Sequence, residues 1–358
     1  MSRYLIVDIG AGTMDILYFS DPTAQHYKAV ARSPVLTLAE TAEGLPGKLL
    51  VTGCEMGGGR LTQILKERAL REGVVMSSSA ALTLHHDPDK VRSWGIAVLS
   101  DEDAEALRQD STYHHLVIGD LESDRLRQIV EALGVPFEFD VVGLCVQDHG
   151  MPPSGGSHLD YRHAIFKERL DKNPYPHALL YGKDDLPKTF NRLRSLLQDA
   201  QALPAKEVFV MDSGMAAILG ASMDLQARLK ERIIVLDVAT SHTVGAALEN
   251  GEIAGFFEYH TRDLTVERLD ALVVELAEGK LEHRRILEEG GHGAYMRKPL
   301  GLASVEIILA TGPKRGLLER SRLPLVMGAP FGDNMMTGTV GVLEAIRRRK
   351  NLKPMVYV

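Results

Sequence analysis

Leu5-Ile6-Val7-Asp8-Ile9-Gly10-Ala11-Gly12-Thr13-Met14-Asp15-Ile16-Leu17-Tyr18-Phe19 decides the fold. An apolar run ends in Asp8, a small-residue loop follows, and a second apolar run leaves through Thr13 and Asp15. The pattern predicts strand, tight turn, strand. Gly10 and Gly12 permit positive φ and let a ligand approach the backbone. Successive N–H groups in such a turn can form a concave anion nest. Asp8 is placed to hold hydrated Mg²⁺, which binds through one or two carboxylates plus phosphates. The plain alternative is an ordinary hairpin with a glycine turn.

The same device recurs. Ile233 to Leu236 is an apolar run ending in Asp237, followed by Val238-Ala239-Thr240-Ser241-His242-Thr243 and a second apolar run to Leu248. Asn250-Gly251 then turns the chain into a third strand, Glu252 to Tyr259. Between the copies, the strand Val208 to Met211 runs into Asp212-Ser213-Gly214 and a helix of small residues. Two strand–Asp–turn–strand units are far harder to reach by chance than one.

The whole chain has 358 residues, 45% apolar and 25% charged, with a net charge of -7. That length suggests about two domains, and the composition is that of a globular protein. No long basic face stands out, which disfavours nucleic acid as the main partner. The basic run Arg347-Arg348-Arg349-Lys350 closes an expected helix, where cations complement the dipole. The two cysteines, Cys54 and Cys145, exclude a disulfide-rich scaffold. No signal peptide opens the chain and no apolar run reaches the length of a membrane span, so a cytoplasmic protein is expected.

Further along, Pro34 to Glu40 and Lys48 to Thr52 read as strands, and Leu61 to Arg71 as a helix. Gly57-Gly58-Gly59 before that helix is either an anion site or a loop allowing close packing. The apolar strand Phe139 to Val146 runs into Gln147-Asp148-His149 and a breaker-rich loop to Gly156. Ionisable residues where a buried strand ends mark a site on an α/β sheet, or simply a solvated connection. Leu159 to about Asp184 reads as irregular, and Leu186 to Ala200 as a helix.

Taken in order, these parts resemble the ATPase superfamily of sugar kinases, actins and heat-shock ATPases. Asp8 to Asp15 looks like its phosphate 1 element, and Met211 to Ala217 is similar to connect 1. Asp237 to Thr243 looks like phosphate 2, Ala310-Thr311-Gly312-Pro313-Lys314-Arg315 like the adenosine motif, and Gly332-Asp333 with the following helix like connect 2. The resemblance implies an α/β fold of two actin-like, ribonuclease H-like lobes with mixed sheets and a nucleotide cleft between them. Lobe I would hold residues 1–225 and the C-terminal 330–358; lobe II would hold 226–329. It further implies ATP and Mg²⁺ as cofactors, with Asp8 and Asp237 at the metal. Gly10, Gly12, Thr13, Asp15, Thr240, Ser241 and Thr243 would meet the phosphates, and Gly312 and Arg315 the nucleoside. Asp212 would orient or deprotonate the attacking group. Ala239, Thr240 and Ser241 stand where the superfamily has glycines. Pro313 removes an amide donor from the adenosine motif.

The expected function is ATP hydrolysis or γ-phosphoryl transfer to a small-molecule acceptor. The alternative is a nucleotide-gated activator acting on a protein partner with slow turnover, possible as a homodimer. Gln147, Asp148 and His149 are the expected acceptor or partner side. Closer still, the chain resembles a prokaryotic branch labelled pyruvate formate-lyase-activating-enzyme-like, on Val146 to Gly150 and Gly53 to Arg60. Radical activating chemistry is not expected, because two separated cysteines cannot ligate a four-cysteine cluster. Nor do His85-His86, His114-His115 and His149 suggest a metal centre, because adjacent residues on a strand face opposite ways.

Overall fold

The computed structural model describes residues 2–152 and 156–357. Pro153, Ser154 and Gly155 of the expected breaker-rich loop lie outside the described residues.

The opening stretch forms β1 (Ser2–Ile9) and β2 (Thr13–Asp21), followed by β3 (Gln25–Arg32). These three strands form an antiparallel meander. An inserted unit follows, with β4 (Lys48–Gly53), β5 (Val74–Ser77), β6 (Ile96–Leu99) and β7 (Tyr113–Ile118) in an all-parallel sheet of order β6-β5-β4-β7. The chain returns through β8 (Phe139–Val146), β9 (Leu180–Tyr181) and β10 (Ala205–Asp212). The first sheet has the order β3-β2-β1-β8-β10-β9, with β1, β8 and β10 parallel.

The second mixed sheet repeats this plan. Its meander is β11 (Arg232–Val238), β12 (His242–Glu249), β13 (Glu252–His260) and β14 (Gly293–Met296). Beside β11 lie the parallel β15 (Ile307–Thr311) and β16 (Leu325–Met327). The architecture is therefore α/β with two lobes of mixed sheet, each led by the same strand–Asp–turn–strand unit. Leu5, Ile6 and Val7 are wholly buried, as are Ile234 and Leu236. Strands covered on both faces read as continuous apolar runs, which is why both leading strands were visible in the sequence.

Two helices tie the lobes together. Ser213–Ser222 packs on β11, β12 and β15, Thr337–Arg349 packs on β1 and β8, and the helices cross each other. Glycines set the crossing distance: a methyl at Gly220 would lie 1.8 Å from the Thr337 carbonyl oxygen, and one at Gly341 would lie 1.8 Å from that of Ala216.

Two expectations are corrected. Pro34 to Glu40 is not a strand but the start of the helix Pro34–Gly44, with Ser33 accepting from the Val35 amide and proline in the first turn. Residues 159–184 are not irregular throughout, because His158–Lys172 is a helix capped by Ser157. Its buried face carries Arg162, Phe166 and Leu170 at spacings of four, so an arginine occupies what pattern reading expects to be apolar. Among the described residues, no helix is long and apolar enough to cross a membrane.

Candidate functional site

The two Asp-bearing turns are built alike. In the first, the Gly10 amide donates to the Thr13 carbonyl at 2.9 Å; in the second, the Ala239 amide donates to the His242 carbonyl at 3.1 Å. Neither Gly10 nor Gly12 takes a left-handed φ. The turn conformation therefore does not demand glycine, and Ala239, Thr240 and Ser241 preserve it. Among the described residues, the amides of Ala11, Gly12, Thr240 and Ser241 have no protein acceptor. The turns meet: a methyl on Gly12 would lie 2.9 Å from Thr240 Cγ2. Both open on one cavity of about 630 Å³.

One end of that cavity is acidic. Asp8 ends β1 and stands directly opposite Asp15 on β2, and Asp237 faces the same space from β11. Like charges opposite one another across a ladder are destabilising. Burial first, then neighbouring carboxylates, push Asp8 up to about 7 and Asp15 up to about 8. Burial pushes Asp237 up to about 6, against a hydrogen bond of 3.0 Å from the Thr311 hydroxyl. Asp15 Oδ1 is buried with no partner among the described residues. Gly338, in the last helix, backs this end, where a methyl would lie 1.8 Å from Asp8 Oδ2. Three carboxylates and an orphaned oxygen thus face one space.

The walls come from the inserted unit and the long loops. Gly57, Gly58 and Gly59 line the cavity at the start of the helix Gly59–Ala69. The close-packing reading of this glycine run is supported, since a methyl at Gly57 would lie 2.8 Å from Arg192 Nη2. Arg192 clamps the region, donating to Asp120 at 2.7 and 2.8 Å and to the Gln147 carbonyl at 2.8 Å.

The cavity is also lined by histidines. His149, His242, His260 and His292 line it, together with Glu258. Burial holds His149 well below the ordinary imidazole value and pushes His242 down to about 3 and His292 to about 4. Burial opposes the charge on Glu258, but Arg162, His242 and His292 hold its carboxyl below the usual range.

The structure brings Asp8, Gly10, Gly12, Thr13, Asp15, Asp237, Thr240 and Ser241 to this cavity, with Gln147 and His149. Other expected residues lie elsewhere. Thr243 is wholly buried, its hydroxyl 3.0 Å from that of Thr261. Asp148 accepts from the Gly150 amide at 2.7 Å and the Leu193 amide at 2.9 Å, so it pins its loop. Arg315 donates to the Gly328 carbonyl. Gly312 touches Asp237 from behind, and its carbonyl accepts from Asn334 at 3.0 Å. Asp212, expected at the reacting group, is 1% exposed. Its oxygens take Arg162 at 2.9 and 3.0 Å and the Gly214 amide at 3.0 Å, leaving none directed into the cavity.

Sequence reading missed Arg162 and Glu258. Arg162 is wholly buried and bridges Asp212 at the end of β10 to Glu258 in β13, while Gln147 also donates to Glu258. The one signal for Arg162 was its four-residue spacing to Phe166. The histidine cluster was missed too, since His260 and His292 carry no motif. His85-His86 and His114-His115 do not join it; His115 instead meets Thr52 at 2.7 Å.

A search of curated proteins finds no match. Among solved structures, a Bacteroides thetaiotaomicron protein described as having an actin-like ATPase fold is similar at 9% identity and TM-score 0.34, covering 91% of this chain and 90% of that one. The ROK hexokinase of Thermus thermophilus is similar at 13% identity and TM-score 0.32, covering 98% and 99%. The ethanolamine utilization protein EutJ of Carboxydothermus hydrogenoformans is similar at 10% identity and TM-score 0.31, covering 96% and 89%. Residues 56–317 match the DUF1786 family, described as "Putative pyruvate format-lyase activating enzyme", and the chain belongs to that family.

Proposed function

We propose that this protein binds a Mg²⁺-nucleotide, ATP, in the cavity between its two lobes, and hydrolyses it or passes its γ-phosphoryl group to an acceptor. The observation that carries the reading is the pair of identically closed Asp-bearing turns, in contact through Gly12 and Thr240. Lobe I comprises 1–225 with 330–358, and lobe II 226–329.

Asp8, Asp15 and Asp237 would hold the cation, which supplies charge neutralisation for the phosphates. The free amides of Ala11, Gly12, Thr240 and Ser241, with the hydroxyls of Thr13, Thr240 and Ser241, would donate hydrogen bonds to phosphate oxygens. Phosphoryl transfer depends mainly on positioning and electrostatic stabilisation, which such a set provides. Gln147 and His149 stand on the acceptor side. Asp212 acts through Arg162, as a positioning residue that fixes the small-residue helix and the lobe contact.

A second reading, a nucleotide-gated activator of a protein partner, is favoured by the Asp212–Arg162–Glu258 bridge. Any change in lobe separation must break or rebuild it, so nucleotide occupancy would be transmitted to the outer surface. Radical chemistry of the kind the family description suggests finds no support in the cysteines. Cys145 is wholly buried and Cys54 donates to Asp199 at 2.9 Å. Steady-state release of ADP, measured alone, with candidate acceptors and with candidate partners, separates the two readings. An acceptor-dependent rise supports transfer, and a partner-dependent rise supports gating. No binding of Mg²⁺-nucleotide defeats both.

A further inference from the structure

The phosphate reading leaves His242, His260 and His292 of the cavity unused. His242 opens β12 and His260 closes β13, and the two are cross-strand partners in the ladder. His292 directly precedes β14, and its amide donates to the Glu258 carbonyl at 2.8 Å. The sheet therefore delivers three imidazoles to one point, each with a ring nitrogen within 4.8 Å of the others.

These nitrogens are poorly satisfied by the protein. His260 Nε2 and His292 Nε2 stand 3.1 Å apart, so one proton at most serves that pair. His242 Nε2, His292 Nδ1 and the nearby His149 Nδ1 are buried with no partner among the described residues. Each buried unpaired polar atom costs about 1–3 kcal/mol. A metal ion would take up His242 Nε2 and relieve the facing Nε2 atoms of His260 and His292.

We propose that His242, His260 and His292 form a divalent transition-metal site of the Zn²⁺ class, with an open coordination position facing the cavity. Zn–N bonds of about 2.0–2.1 Å in a tetrahedron set ligand nitrogens about 3.3 Å apart, which small side-chain adjustments here achieve. Three protein ligands plus an open position is the pattern of reactive rather than structural zinc. Imidazole ligands select zinc-like ions, whereas Mg²⁺ takes oxygen. The ion is therefore distinct from the one assigned to the aspartates, and the proposal stands without the nucleotide reading. Glu258, held by Arg162 and Gln147, has Oε1 at 4.0 Å from His292 Nδ1, outside hydrogen-bond range but beside the ring it would orient as an outer carboxylate once an ion is bound.

The test uses the full chain, stripped with chelator and titrated with ZnCl₂ or CoCl₂ alone by calorimetry and metal analysis. The proposal predicts one ion per chain, with His242→Gln and His260→Gln each weakening binding on the order of 100-fold or more. His114→Gln and Asp237→Asn retain the ion. Thermal unfolding confirms that each variant folds. If neither histidine variant folds, the visible Co²⁺ spectrum of the wild type decides: intense tetrahedral nitrogen-ligand bands support the site, and weak octahedral bands overturn it. Absence of uptake by wild type, unchanged affinity in folded histidine variants, or loss in Asp237→Asn alone would each overturn it as well.

Discussion

A buried arginine between two buried carboxylates is costly to assemble and costlier to break, because removing one partner strands the others. Arg162 has no exposed surface and is bonded to Asp212 and Glu258. Replacing it with Met should destabilise the fold by about 3–5 kcal/mol, read as a shift of the urea midpoint. A loss below about 1 kcal/mol, the size of an exposed pair, would mean the bridge is not formed in solution. His86 makes a second prediction. Burial works against its charge, yet the Glu55 carboxylate at 2.6 Å holds His86 above the ordinary imidazole value. A raised folded-state value means the contribution is complete below the unfolded value of about 6.5 and is lost as pH rises through the folded one. The His86 contribution to unfolding free energy should therefore fall as pH rises above about 6.5, read as the difference between the wild-type and Glu55→Gln profiles. An identical slope in the variant would contradict the pairing. At this scale the turn residues were legible in the sequence, since Asp8, Asp15, Thr13, Asp237, Thr240 and Ser241 all reach the cavity. The inward rotation of Asp148, Asp212 and Thr243 was not, because it depends on partners far away in the chain.

Among the elements, the leading strands announced themselves because both faces are buried. The helix Pro34–Gly44 was misread because it opens on the β-branched and apolar run Val35-Leu36-Thr37-Leu38, although Ser33-Pro34 is a cap followed by a first-turn proline. The short strands β5 and β6 fell below what pattern reading resolves, each being four residues long. The crossing of Ser213–Ser222 and Thr337–Arg349 was half visible: their small residues predict close packing, but not which helix is the neighbour. It carries a direct consequence. Gly341→Ala would push a methyl to 1.8 Å from the Ala216 carbonyl oxygen, and the same holds for Gly220→Ala at Thr337. Either substitution should cost about 1–3 kcal/mol, toward the upper end because the obstacle is backbone. A calorimetric unfolding temperature unchanged by either would contradict the crossing distance.

For the whole molecule, the repeated sheet plan follows from a repeated unit that the sequence displays, whereas the parallel four-stranded insertion does not repeat and left no such trace. What the two lobes share is one cavity, lined by three aspartates beside the turns and by four clustered histidines. Beside the turns it combines carboxylates raised by burial with amides that have no protein acceptor among the described residues, the arrangement on which the proposed cation and phosphate binding rests. The decisive measurement is calorimetric titration of a non-hydrolysable Mg²⁺-ATP analogue into the wild type, Asp8→Asn, Asp237→Asn and the double variant. Wild type should bind at one site, either single variant should weaken binding on the order of 100-fold, and the double variant should lose little more, since the two aspartates serve one cation. Wild type that binds no Mg²⁺-nucleotide, or single variants that bind as wild type does, would contradict the account.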